Sequence, residues 1–340
     1  MKQTTPNKII FYTFLTVTAV IISVLLTESI VRFVCNFPPT GMTKSYHIYP
    51  NDFYDGGIVY ENIYKRGAKY FNTEDGYKVF KKNNYGLPGL DISDTGKKNI
   101  IVLGNSYLES RATPPPLLAT SVFMRLIQAK YPNKYQVVNL GLGGQTPYLG
   151  LYRLKFWSKK IKPDYVLLVL EGHMLGNIER FADSTFAINQ MFGSPITDLK
   201  LSMLSSICAF SAFANVIRCG IKYAKNVNNQ TNENDSKFSE KSSTDIDKVT
   251  YNKMLSAILE YNKQYGDRFL LFSLLDSKWN EQFYSECTKN SIRFSSNSRI
   301  RKMPDFHMKK GHFNNEGNKE LGYELYRFFK NTQTLKRRTS

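Results

Sequence analysis

The 340-residue chain is short of the residues from which metal and redox centres are built: its 4 cysteines, Cys35, Cys208, Cys219 and Cys287, include no CxxC pair. That spacing excludes a zinc cage and a thioredoxin-type redox site, and so few thiols make no disulfide scaffold. The most they permit is one bridge, Cys208 to Cys219. Acid is scarce as well, with 28 Asp and Glu against 46 Lys and Arg, which leaves a formal charge of +18 at pH 7. The surplus is spread over both ends and the middle, without zinc-finger spacing or a basic heptad, so it argues against a nucleic-acid partner. It suits a solvated surface, or one held against anionic lipid or polymer. A hydrophobic content of 42% excludes wholesale disorder and requires a buried core.

Charge is absent altogether from residues 9 to 27, IIFYTFLTVTAVIISVLLT. Nineteen residues at 1.5 Å each reach about 28 Å, enough for the hydrocarbon of a bilayer. Lys2 and Lys8 precede the run, and Glu28 and Arg32 follow it. The positive flank predicts a cytoplasmic tail over residues 1–8, a transmembrane anchor over 9–27, and an extracytoplasmic main domain, periplasmic or on the cell surface. A cleaved signal peptide is the alternative, but Glu28-Ser29-Ile30-Val31 offers no A-x-A-like site.

Residues 37–98 are rich in Tyr, Gly, Asn and Pro and read as an irregular lead-in. From Asn99 onward, apolar runs alternate with amphipathic stretches. NIIVLG precedes a helical pattern over 117–131 that Pro132 stops; YQVVNLG (135–141) precedes 148–161; DYVLLVLEG (164–172) follows, then 251–264 and DRFLLFSLL (267–275). Strands apolar on both faces, interleaved with helices, predict an α/β fold: a three-layer α/β/α sandwich around a parallel sheet, spanning 99–330. A last helix over 315–329 and a basic tail over 331–340 complete it. Residues 184–248 read as an inserted cap and loop, with 226–248 almost free of apolar side chains and expected to be disordered. Within this insertion, 202–217 is uncharged but only sixteen residues long, which predicts a packed capping helix rather than a second span.

In a parallel sheet, chemistry gathers at the carboxyl ends of the strands. Three such ends carry Gly104-Asn105-Ser106, the glycine-rich Asn139-Leu140-Gly141-Leu142-Gly143-Gly144, and Glu171-Gly172-His173; His312 precedes the last helix. A serine at a helix N-terminus faces free backbone N–H groups, and an imidazole on a returning loop can take its proton. In this order, VLGNSYLES, VNLGLGGQTPYLGLYRL, KPDYVLLVLEGHMLGN and HFNNEGNKELGYEL, with the lead-in Asn84-Tyr85-Gly86-Leu87-Pro88, resemble the four blocks of the SGNH (GDSL) hydrolase superfamily. The resemblance covers about residues 80 to 330. It implies Ser106 as nucleophile, His312 as general base, and the N–H groups of Ser106 and Gly144 as the oxyanion hole.

Three of the four blocks depart from the family pattern. Asn105 stands for the usual Asp of the first block. His173 stands for the third-block Asn, and a neutral imidazole still donates one hydrogen bond to an oxyanion. Lys309 and Lys310 fill the positions where the family carries the acid that orients the histidine, which leaves Asp305 as a candidate for that role. The resemblance implies a membrane-anchored serine esterase or O-acyltransferase, needing no metal and no cofactor, with an acylated envelope polysaccharide or lipid as substrate. The altered third and last blocks suit the alternative, a catalytically degenerate SGNH-like protein that binds a glycan or assists envelope assembly.

Overall fold

The structure, a computed structural model, describes residues 6–34, 42–48, 59–64, 69–72, 78–93, 96–172, 174, 211–214, 216–217, 248–308 and 312–339. The apolar N-terminal run forms the helix α1 (Pro6–Ser29), continued by a wider turn over Ile30–Val34. Its apolar stretch, Lys8–Val34, is 27 residues long, long enough to cross a membrane. The helix passes the expected end at Thr27 because Glu28 and Arg32, one turn apart, pair at 2.6 Å and neutralise each other.

The lead-in is less irregular than expected. It forms two antiparallel hairpins, β1 (Met42–Ile48) with β2 (Val59–Tyr64) and β3 (Lys69–Asn72) with β4 (Lys78–Lys81). Their Tyr, Phe, Ile and Val content suits a pleated surface, but strands of four to seven residues are too short to show a period.

The main sheet has five parallel strands: β5 (Lys98–Gly104), β6 (Tyr135–Gly141), β7 (Tyr165–Leu170), β8 (Phe269–Ser273) and β9 (Arg293–Ser296). Their spatial order is β6-β5-β7-β8-β9, the doubly wound 2-1-3-4-5 arrangement of flavodoxin-like folds. Helices around this sheet include α2 (Ser106–Glu109), α3 (Ala119–Lys130), α4 (Pro147–Ser158), α5 (Lys248–Tyr265), α6 (Ser277–Lys289), α7 (Ser298–Lys302) and α8 (Asn315–Thr339). Side chains alternate across β5: Ile101 and Leu103 pack with Trp157, Tyr261 and Phe283 from α4, α5 and α6. Ile100 and Val102 pack on the other face with Phe123, Leu325 and Phe329 from α3 and α8. This is the predicted three-layer sandwich. All four of these β5 residues are at most 1% exposed, and burying each such side chain stabilises by about 1.5–3 kcal/mol.

The last helix does not give way to a tail at residue 331. It runs to Thr339 because no Gly or Pro interrupts NTQTLKRR, and Thr332 is buried while Gln333 accepts a hydrogen bond from the Tyr135 hydroxyl at 3.1 Å. The expected 226–248 loop and the Cys208–Cys219 pairing lie outside the described residues, apart from Lys248 in α5. Cys287 is buried and unbridged.

The sheet constrains the topology of the insertion. β7 and β8 pair in parallel from Val166–Phe269 to Leu170–Ser273, so residues 170 and 269 lie on one side of any bilayer. The described part of 202–217 meets the end of α1: Ser211 Oγ and the N–H groups of Ala212 and Phe213 donate to the Glu28 carboxylate at 2.9, 2.8 and 3.0 Å.

Candidate active site

The sheet order reverses between β5 and β7, and the site lies just beyond their carboxyl ends, where doubly wound sheets bind ligands. Asn105 leaves β5 in an extended conformation and caps α2, its side-chain oxygen accepting from the Tyr107 N–H at 3.1 Å. Ser106 is thereby the first residue of a single helical turn. That turn sits directly over the end of β6, where a Cβ on Gly141 would lie 2.6 Å from both the Glu109 nitrogen and the Leu108 Cβ. Only glycine admits this approach. Asn139 reinforces it by donating to Leu108 O at 2.9 Å and accepting from the Gly141 N–H at 2.8 Å. Gly144 has φ 75° in the turn closed by the Gln145 N–H on Leu142 O, a conformation that again requires glycine.

Ser106 and His312, 206 positions apart in sequence, line one cavity of 270 Å³ together with Glu109, Ser110, Arg111, Ala112, Gly143, Met308 and Phe313. A short antiparallel bridge between His307 and Phe313 shapes the histidine loop, and Met308 N–H donates to His312 O at 2.7 Å. The Tyr107 ring stands against both imidazoles, 5.9 Å from His312 and 6.3 Å from His307 between centroids. Burial, and then the Glu171 carboxylate, push the Tyr107 phenol up to about 12, so it stays protonated at neutral pH. His307 Nε2 lies 2.7 Å from Arg301 O.

A buried carboxylate, Glu171 at the end of β7, ties these parts together. It accepts from Asn105 Nδ2 at 2.5 Å and pairs with Arg301 Nε at 3.4 Å. This explains Asn at a position where the resemblance implies Asp: the neighbour is already a carboxylate, and an amide donates where an acid would repel. In an Asn105→Asp variant two carboxylates meet, and one must keep a proton. Its folded pKa then exceeds the unfolded one, so the variant is stable at low pH and loses stability as pH rises through the folded value. The expected cost at pH 7 is about 3 kcal/mol, read as a denaturation midpoint that falls between pH 4 and 7 relative to the parent.

Two supporting residues carry no signal in the spacing. Asn318 in α8, fully buried, donates to Ser110 Oγ, Thr113 Oγ1, Phe313 O and Asn314 O at 3.0 to 3.2 Å, joining the serine loop to the histidine loop. Glu109 is the other. Asp305 is exposed in the Pro304–Phe306 turn; it is its backbone carbonyl that accepts from Asn314, at 2.6 Å. Among the described residues no carboxylate bonds to His312. His173, Lys309 and Lys310 lie outside them. Among the described residues, no group of His, Cys, Asp and Glu is arranged to hold a metal.

No protein-family model and no curated protein matches the chain. Among solved structures it is similar to the psychrotrophic esterase EstA from Pseudoalteromonas sp., at 11% identity and a TM-score of 0.41 over 70% of this chain and 100% of that one. A lipase/acylhydrolase from Enterococcus faecalis follows at 14% and 0.36, over 68% and 94%. The SGNH-hydrolase family esterase AlinE4 gives 13% and 0.37, over 64% and 86%. At such identities and scores the likeness carries no chemistry over to this chain.

Proposed function

We propose that the protein is a membrane-anchored serine esterase or O-acyltransferase of the SGNH type, acting on an acylated envelope glycan or lipid through an acyl-enzyme on Ser106. The observation that carries the reading is the meeting of Ser106 and His312 in one cavity at the switch point of the sheet. In the proposed reaction His312 takes the Ser106 proton as Oγ attacks the ester carbonyl. The N–H groups of Ser106 and Gly144, joined by His173, hold the oxyanion. Collapse breaks the bond to the alkoxide, which leaves with the proton from His312. Water or a sugar hydroxyl then gives its proton to His312 and attacks the acyl carbon; collapse breaks the bond to Ser106 Oγ, and His312 returns the proton to it. An esterase and an acyltransferase differ here only in which acceptor reaches the acyl-enzyme. Covalent labelling of the full-length protein by a fluorophosphonate probe tests the reading, and a folded protein that stays unlabelled would overturn it.

The second reading, a glycan-binding or assembly protein that has lost catalysis, is favoured by one feature: no carboxylate reaches His312 among the described residues. Localisation follows the charge flanking the anchor. Lys8 before the apolar helix and the Glu28–Arg32 pair after it favour a cytoplasmic N-terminus. Protease added to intact spheroplasts should therefore digest residues beyond 36, and a protected C-terminus would reverse the orientation.

A further inference from the structure

Glu109 lines the cavity, and the reaction above makes no use of it. It ends α2, three residues after Ser106, so one helical turn brings its carboxylate back beside the nucleophile. The side chain is 5% exposed. Burial alone would raise its pKa, but the charges of Arg111 and Lys82 and the bonds from Arg111 and Gly143 hold it below the ordinary carboxylate value. Oε1 accepts from Arg111 Nε at 2.7 Å, and Oε2 accepts the backbone N–H of Gly143 at 2.8 Å.

That second bond falls on a turn with a particular geometry. Gly143 and Gly144 are its central residues, the Gln145 N–H closes it on Leu142 O at 3.0 Å, and Gly144 has φ 75°. A closing bond with positive φ at the third residue is the type II pattern, and its difference from type I is the direction of the central peptide. The N–H of that peptide belongs to Gly144.

We infer that Glu109 is a positioning residue for the oxyanion hole: by accepting the Gly143 N–H it fixes the turn that presents the Gly144 N–H to the acyl oxygen. The inference rests on the acyl-transfer reading. It gives two adjacent glycines different tasks, with the Gly143 donor occupied by protein and the next donor along directed to substrate. An oxyanion donor is effective when it needs no reorganisation as charge develops, which is what a clamped turn supplies. The need is for an acceptor rather than for charge, since an anion beside a developing oxyanion opposes it and is here offset by Arg111 and Lys82.

The test compares full-length protein in detergent micelles with Glu109→Gln, which keeps an acceptor oxygen, and Glu109→Met, which keeps the length without one. Two readouts are taken, amide hydrogen exchange across residues 142–146 and steady-state hydrolysis of an aryl acetate. The Met variant should exchange at least tenfold faster over 142–146 and lose about 10²-fold in kcat, with KM within about threefold. The Gln variant should keep parental protection and kcat within about threefold. A Met variant with parental exchange and kcat overturns the inference, and so does a folded Gln variant that loses both. Should the Met variant fail to fold, the Gln variant decides alone by the same criteria. A parent protein that neither labels nor hydrolyses overturns the acyl-transfer reading itself, and the donor role with it.

Discussion

Ser106→Ala is expected to lower ester hydrolysis by at least about 10⁴-fold and to abolish fluorophosphonate labelling, because no other group in the proposed reaction forms the covalent bond to the acyl carbon. The loss should come without unfolding. Ser106 is only half-buried at the cavity wall, so removing one hydroxyl leaves little empty volume, and its backbone N–H stays in place. Thermal midpoints of parent and variant should agree within a few degrees. His312→Ala should lose a comparable factor in kcat, since members of a catalytic unit do not contribute additively, and the double variant should be little worse than either single one. Parental hydrolysis of a short-chain aryl ester by purified Ser106→Ala protein would end the catalytic reading.

Lys310→Asp is expected to raise hydrolysis at least about tenfold. The warrant is the residue content ahead of His312, where Lys309 and Lys310 stand. In triad hydrolases, loss of the carboxylate that orients the histidine costs about 10⁴ in turnover. A carboxylate at 309 or 310 supplies an acceptor for the second ring N–H and replaces a cation that disfavours the imidazolium. Lys309→Asp is the parallel variant. Asp305→Asn should change activity by less than about twofold, because the Asp305 side chain is exposed in its turn. A strong loss there would instead identify Asp305 as the orienting acid. Each variant is measured beside its own His312→Ala counterpart; if no pair differs, His312 is not a base and the binding-protein reading takes over.

β5, β6, β7 and β8 are legible in the sequence because a strand covered on both faces must be apolar throughout, and each of the four is almost or wholly buried. β9 is not legible, since an edge strand of three half-buried residues and one exposed one, RFSS, has no such requirement. The lead-in hairpins escape for the related reason that their pairing is with each other. The same division runs through the site. Ser106, Gly144 and His312 are marked by local blocks, each a short string whose residue types belong together. Glu109 answers to Gly143, 34 positions on, and Asn318 to Ser110, 208 positions back. Neither relation leaves a local trace.

What the sequence by itself determined is what depends on local composition: an apolar segment long enough to cross a bilayer, alternating strands and helices, and the residue types available for acyl transfer. Only the tertiary structure decided which of those residues meet. The parallel pairing of β7 with β8 brings the two ends of the insertion, residues 170 and 269, into one sheet. The reversal of strand order between β5 and β7 places Asn105 against Glu171 and accounts for the amide where an acid was implied. The wrapping of α8 over the sheet brings His312 to the Ser106 cavity. The physical reason is one of range: helix and strand formation are set by neighbours within a few residues, whereas hydrogen bonds between distant loops exist only once burial of the two apolar faces of the sheet has fixed the backbone that carries them.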